Sequence, residues 1–225
     1  HPPVYFTIDI TKQETEKMSN STSFKGYSVV SCGTLREEVT YLQNSGFLDA
    51  DKVLLTAPGL HEKQKELQKQ LVKNLEIAKK FSDRIIVLFG ERCFLDPDDP
   101  SRNIDRLLEE NGSEITRVHA KNCIDMLASQ DEREKIRNGR KIYWLTPGWV
   151  RYWKVIFSKW DTGMANETFP VNDSAIVLDA IGSFDEICEK SPEKVLEFSD
   201  WMKLGIESHQ VTLDRFKGLL LEQIN

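Results

Sequence analysis

At 225 residues the chain is long enough for one sizeable core and short for two independent domains. A formal net charge of -6 and a sequence pI near 5.4 argue against a general nucleic-acid binder. No run approaches the ~20 apolar residues of a membrane span, so neither nucleic acid nor membrane is expected as a partner.

Residues 1–24 mix Pro, Thr, Glu and Ser and read as an extended or loosely packed N-terminal arm. They carry no basic and apolar signal pattern, and the four cysteines lie too far apart for a disulfide framework. The expected compartment is therefore the reducing cytoplasm. Residues 25–225 read as a single α/β domain.

From Tyr27 short β-branched runs alternate with helical patterns. YSVVSCG (27–33) and DKVLLTA (51–57) are predicted strands, and LHEKQKELQKQLVKNLEIAKKF (60–81) is a predicted helix. Its Leu67, Leu71, Leu75 and Ala78 fall on one face. RIIVLFG (84–90), EITRVH (114–119), KIYWLT (141–146), AIVLDAI (175–181) and HQVTL (209–213) complete the strand set. This alternation predicts a doubly wound, Rossmann-like, mostly parallel sheet with helices on both faces. In that class ligands bind outside the carboxyl ends of the strands.

The residues just past those ends are therefore the ones to inspect. Cys32, Cys93 and Cys123 each lie within a few residues of a predicted strand end, as do His61 and His119. Thiolates are soft ligands for zinc or iron–sulfur clusters, and imidazole can complete such a shell. The plainer alternative is that each cysteine is a small buried hydrophobe, since no C-x-x-C pair is present. Cys188 falls inside a later helical pattern and reads as core.

Gly33, Gly59 and Gly148 suit tight strand-to-helix turns and could also let backbone N–H groups approach a cofactor. Trp149, in the aromatic stretch 143–153, could stack on a flat ligand or simply pack the core. Neither G-x-G-x-x-G nor a Walker loop occurs, and G-x-S-x-G and H-E-x-x-H are also missing.

Cys32-Gly33-Thr34-Leu35-Arg36-Glu37-Glu38, Pro58-Gly59-Leu60-His61-Glu62, Gly90 to Cys93, His119 to Cys123 and Leu145 to Trp149 together resemble the family of the domain of unknown function numbered 1638. The Asp96-Pro97-Asp98-Asp99-Pro100 loop is similar to its methanogen branch. The resemblance spans Tyr27 to the C-terminus and leaves the N-terminal arm outside. It implies no assigned activity. It does imply an association with corrinoid-dependent methyltransferases and hence with one-carbon metabolism.

Two functions follow as expectations. The first is a metal- or iron–sulfur-binding protein in corrinoid-linked methyl transfer, with Cys32, Cys93 and Cys123 as ligands and His61 or His119 as fourth ligand or proton donor. A corrinoid is a second cofactor that this expectation admits. The other is a non-catalytic accessory protein that binds a corrinoid protein or methyltransferase. Whether turnover occurs, and whether the chain self-associates into a homo-oligomer, are left open.

Overall fold

The computed structural model describes residues 23–224. Its first half runs β1 (Tyr27–Ser31), α1 (Arg36–Asn44), β2 (Lys52–Leu55), α2 (Gln64–Ala78), β3 (Arg84–Leu88), α3 (Ile104–Asn111) and β4 (Ile115–Arg117). These strands pair in parallel in the order β2-β1-β3-β4, with Val29 registered against Val53 on one side and Ile86 on the other. The chain winds outward from β1 to β2, then crosses back to β3. The switch point therefore lies between β1 and β3, where a doubly wound sheet opens a crevice.

The second half begins with two short helices, α4 (Cys123–Leu127) and α5 (Gln130–Arg137). It continues β5 (Ile142–Leu145), α6 (Pro147–Ile156), α7 (Thr162–Thr168), β6 (Ser174–Asp179), α8 (Ser183–Lys190), α9 (Pro192–Met202), β7 (Ile206–Gln210) and α10 (Asp214–Leu221). Strands β5-β6-β7 form a second parallel sheet. The α/β class and the parallel pairing are as the sequence predicts, but the strands divide between two sheets. Local periodicity marks where strands are and carries no record of which long-range partners they choose. β4 contributes only three residues, and β5 takes β6 as its partner.

One core nonetheless unites the halves. Val29, Ile86 and Leu88 of the first sheet share a cluster with Ile176 and Leu178 of the second and with Phe216 of α10. β6 is buried along its whole length, which explains its unbroken apolar run. Along α2 the buried positions are Leu67, Leu71, Leu75 and Ala78, the face expected from helical spacing.

Two boundaries and one burial assignment differ from expectation. Phe24 is fully buried and its N–H donates to Asp49 Oδ1 at 2.6 Å, so residues 23 and 24 belong to the domain. The rest of the predicted arm lies outside the described residues. The last strand is Ile206–Gln210 rather than 209–213, because Val211 and Leu213 turn inward to pack on the core. Cys188 lies on α8 and is exposed, not core. Among the described residues no helix is long and apolar enough to cross a membrane.

A carboxylic acid is buried where the halves meet. Glu38, in the first turn of α1, is fully buried and neither of its oxygens has a hydrogen-bond partner among the described residues. Burial pushes its pKa up to about 8, with further contributions from Glu37 and from Asp179 at the end of β6. The Asp179 carboxylate is committed to capping α8, accepting N–H groups from Ile181, Ser183 and Phe184. The folded protein therefore holds a proton on Glu38 that the unfolded chain releases near the ordinary value of 4.5.

That raised pKa contributes stability that is fully present below about pH 4.5 and is lost as pH rises toward about 8. Glu38→Gln keeps the shape and removes the titration. Across this window its stability should gain on the parent by roughly 1.4 kcal/mol per pH unit, read from urea unfolding at stepped pH. Parallel profiles for the two proteins would contradict this account of Glu38.

Candidate functional site

The carboxyl ends of β1 and β3 are neighbours, so Cys32 and Cys93 flank the switch point. Cys32 is buried and its Sγ lies 3.1 Å from Thr34 Oγ1. The Gly59 backbone, from the loop after β2, also reaches the Cys32 sulfur. Cys93 is half-buried, and its Sγ accepts the Gly90 N–H at 3.2 Å. Cys123 opens α4 behind Asn122, whose side chain caps that helix by accepting the Asp125 N–H.

Close backbone contact brings the third cysteine beside the other two. The N–H groups of Glu91 and Arg92 donate to Ala120 O and Lys121 O at 2.9 and 3.1 Å, which ties the β3 loop to the β4 loop. A Cβ at Gly90 would overlap the backbone of Lys121 and Asn122, so only glycine permits this approach. Asp125 fixes the same loop from within. Its Oδ2 accepts the Lys121 N–H at 2.9 Å, while Arg133 and Arg215 reach its Oδ1 at 3.5 and 3.4 Å.

The second half supplies a wall. Thr146 Oγ1 donates to Thr34 O at 3.2 Å, and a Cβ at Gly148 would overlap the same carbonyl. The first turn of α6 is thus pressed onto the chain just past β1, which sets Trp149 beside Cys123. Trp149 is 7% exposed, and its Nε1 has no hydrogen-bond partner of standard geometry among the described residues. The indole N–H nevertheless lies near enough to the Cys123 sulfur to favour its thiolate. His61 packs on the indole at 5.1 Å between ring centroids, and its Nε2 stands 3.4 Å from Glu62 Oε1.

Together these residues enclose a cavity of about 340 Å³, lined by Cys93, Cys123, His61, Trp149, Tyr143 and Trp144, with Arg92, Arg133, Asn122 and Ile124 completing it. The volume is at the small end of ligand sites. Burial is the main influence on the three thiols and raises all of them. Cys123 is pushed up to about 12, first by burial and then by Cys32. Cys93 is raised further by Cys123 and Cys32, so each sulfur feels the others. Burial also raises the Tyr143 phenol, with Glu62 and Cys123 adding to it, and the His61 contact holds the Glu62 carboxyl below its ordinary value. In the folded, metal-free protein the cysteines are thus neutral thiols at pH 7.

Of the candidates expected from sequence, Cys32, Cys93, Cys123, His61 and Trp149 come together here. His119 does not. Val118 and Ala120 are buried and His119 between them is exposed, as the alternation of an extended segment demands. Gly33 and Gly148 are at points of close packing, against the 56–58 backbone and Thr34, and not on the cavity wall. Gly59 takes a left-handed conformation (φ 70°) that starts the short 3-10 turn carrying His61. Among the described residues no three His, Cys, Asp or Glu side chains already stand in an arrangement that holds a metal ion. Thr34, Arg92, Asn122, Asp125 and Arg133 are not candidates from sequence; a helix-capping role for Asn122 is the one feature of this group with a local signature that could have pointed to it.

Residues 55–220 match the family described as "Protein of unknown function (DUF1638)". The matched stretch contains Cys93, Cys123, His61 and Trp149, whereas Cys32 and Thr34 precede it. No curated protein and no solved structure matches the chain.

The raised thiols make a chemical prediction. At pH 8 a thiol titrating near 12 is ionised to only about one part in 10⁴, and the thiolate is the nucleophile. In chelator-treated protein, iodoacetamide should modify exposed Cys188 at least about tenfold faster than Cys123, with Cys32 and Cys93 also slow. Peptide mapping of a time course reads this directly. Equal rates at Cys123 and Cys188 would mean that Cys123 is not shielded as described.

Proposed function

The chain belongs to the DUF1638 family, and we propose that it binds a soft metal ion or an iron–sulfur cluster through Cys32, Cys93 and Cys123 and acts in corrinoid-linked methyl-transfer metabolism. The observation carrying this reading is that Cys32, Cys93 and Cys123 follow the neighbouring strands β1, β3 and β4, with the Glu91 and Arg92 N–H groups tying the Cys93 loop to the Ala120 and Lys121 carbonyls just before Cys123.

The donor set suits such a group. Three thiols are soft ligands, and an unpartnered indole N–H beside them would meet an acceptor on whatever the metal holds. Binding would replace the Cys32–Thr34 and Gly90–Cys93 contacts by bonds to the metal. A bound metal would supply an open coordination position for Lewis-acid or redox chemistry. Around it this chain's own groups exclude water through Trp149 and Tyr143, and Glu62 orients the imidazole of His61. His61 is then the group to hold or deliver a proton within the cavity.

In this reading a corrinoid is carried by a partner, a corrinoid protein or methyltransferase, because the cavity is sized for a small ligand and not for a macrocycle. The Asp96–Pro100 loop marks a methanogen-type member, and a reducing cytoplasm keeps the thiols free.

Metal and acid-labile sulfide analysis of anaerobically purified protein tests the proposal. We expect near-stoichiometric metal, and replacement of Cys93 or Cys123 by Ser should lower retention about tenfold or more while the fold survives. Folded protein that takes up neither zinc nor a reconstituted cluster would overturn it.

A further inference from the structure

The cavity beside the thiols is lined by groups of different chemistry. The Trp149 Nε1–H is buried and has no acceptor of standard geometry among the described residues. A buried donor left in this state costs free energy that a ligand acceptor would recover. Two guanidinium groups, those of Arg92 and Arg133, also line the cavity. Arg92 is largely exposed and has only a loose contact with Glu91 at 3.8 Å. Arg133 gives one Nη to Asp125 Oδ1 and to Ala128 O, and its other N–H groups have no protein acceptor among the described residues. Trp149, Tyr143 and Trp144 add aromatic surface to the lining.

We infer that this cavity binds a small, flat organic carboxylate that carries a second hydrogen-bond acceptor at its far end. The carboxylate meets the guanidinium groups of Arg92 and Arg133, a pairing that suits planar forked donors. The flat body lies against the aromatic walls. The far acceptor atom takes the Trp149 N–H and so stands next to Cys93 and Cys123. A single negative charge matches the two guanidiniums better than a phosphate dianion would, since one of them is already shared with Asp125. A volume of about 340 Å³ admits a ligand of one ring and its substituents. The inference deepens the metal reading by naming what would sit at the open coordination position, and it rests on that reading for this last point alone.

The test uses the full chain, both as purified and after chelation, with metal content measured on each sample. 4-Hydroxybenzoate is the probe, and benzoate and phenol are controls that each lack one end. Titrations followed by calorimetry and tryptophan fluorescence should show 4-hydroxybenzoate binding at least about tenfold more tightly than either control. Trp149→Phe keeps the aromatic wall and removes the N–H. It should weaken 4-hydroxybenzoate about tenfold while leaving benzoate unchanged. Arg92→Ala, at an exposed position that threatens the fold little, should weaken both carboxylates alike and spare phenol. Binding that persists in metal-free protein upholds the inference even where the metal reading fails. Metal-loaded protein that binds none of the probes overturns the inference and leaves the metal reading standing. Unchanged 4-hydroxybenzoate affinity in both variants likewise overturns it.

Discussion

The contact on which the site depends is between two stretches of backbone, not between catalytic groups. The first turn of α6 lies against the carbonyl of Thr34, close enough that position 148 has no room for a side chain. Thr146 bonds the same carbonyl across 112 residues of sequence. Through this contact the second sheet is docked on the carboxyl edge of the first, and Trp149 is carried to Cys123. Without it the crevice at the β1–β3 switch point would be an open, wet groove with three scattered thiols.

Desolvation follows from that docking and sets the chemistry. Burial dominates the shifts at Cys32, Cys93 and Cys123, and the same covering raises Tyr143. Thiols in this state are inert until something replaces their protons, and a soft cation is well suited to do so. The same logic operates at Glu38 in α1, where burial holds a proton in place. Burial therefore acts twice, removing the charge that Glu38 would carry in water and holding the three thiols further from ionisation than in water.

Much of the fold could be read in the residues. RIIVL and SAIVLD are buried strands because their apolar runs leave no solvent side, and α2 shows its core face at helical spacing. The placement of Cys32, Cys93 and Cys123 after strands, together with parallel topology, was enough to put them on one edge. Other features were not readable. The division into two sheets depends on partner choice across long separations. His119 was lost to a one-residue alternation, since an extended segment buries Val118 and Ala120 and turns the residue between them outward. The roles of Thr34 and Gly148 come from a contact that no local pattern records, and Glu38 looks like any acidic residue opening a helix until tertiary packing buries it.

The 112-residue reach between Thr34 and Thr146 has a consequence for how the protein is made. All three cysteines precede Trp149 in the chain, as do the four strands of the first sheet. During synthesis the thiols are thus present, solvated and close to ordinary acidity, in a chain that cannot yet shield them. Only once α6 has docked are they taken out of water. Parallel, long-range pairing of this kind is slow relative to local structure, so the interval is a built-in period of chemical exposure. The finished protein's inertness is acquired at the last assembly step, and a cell making it must keep those sulfurs reduced until then.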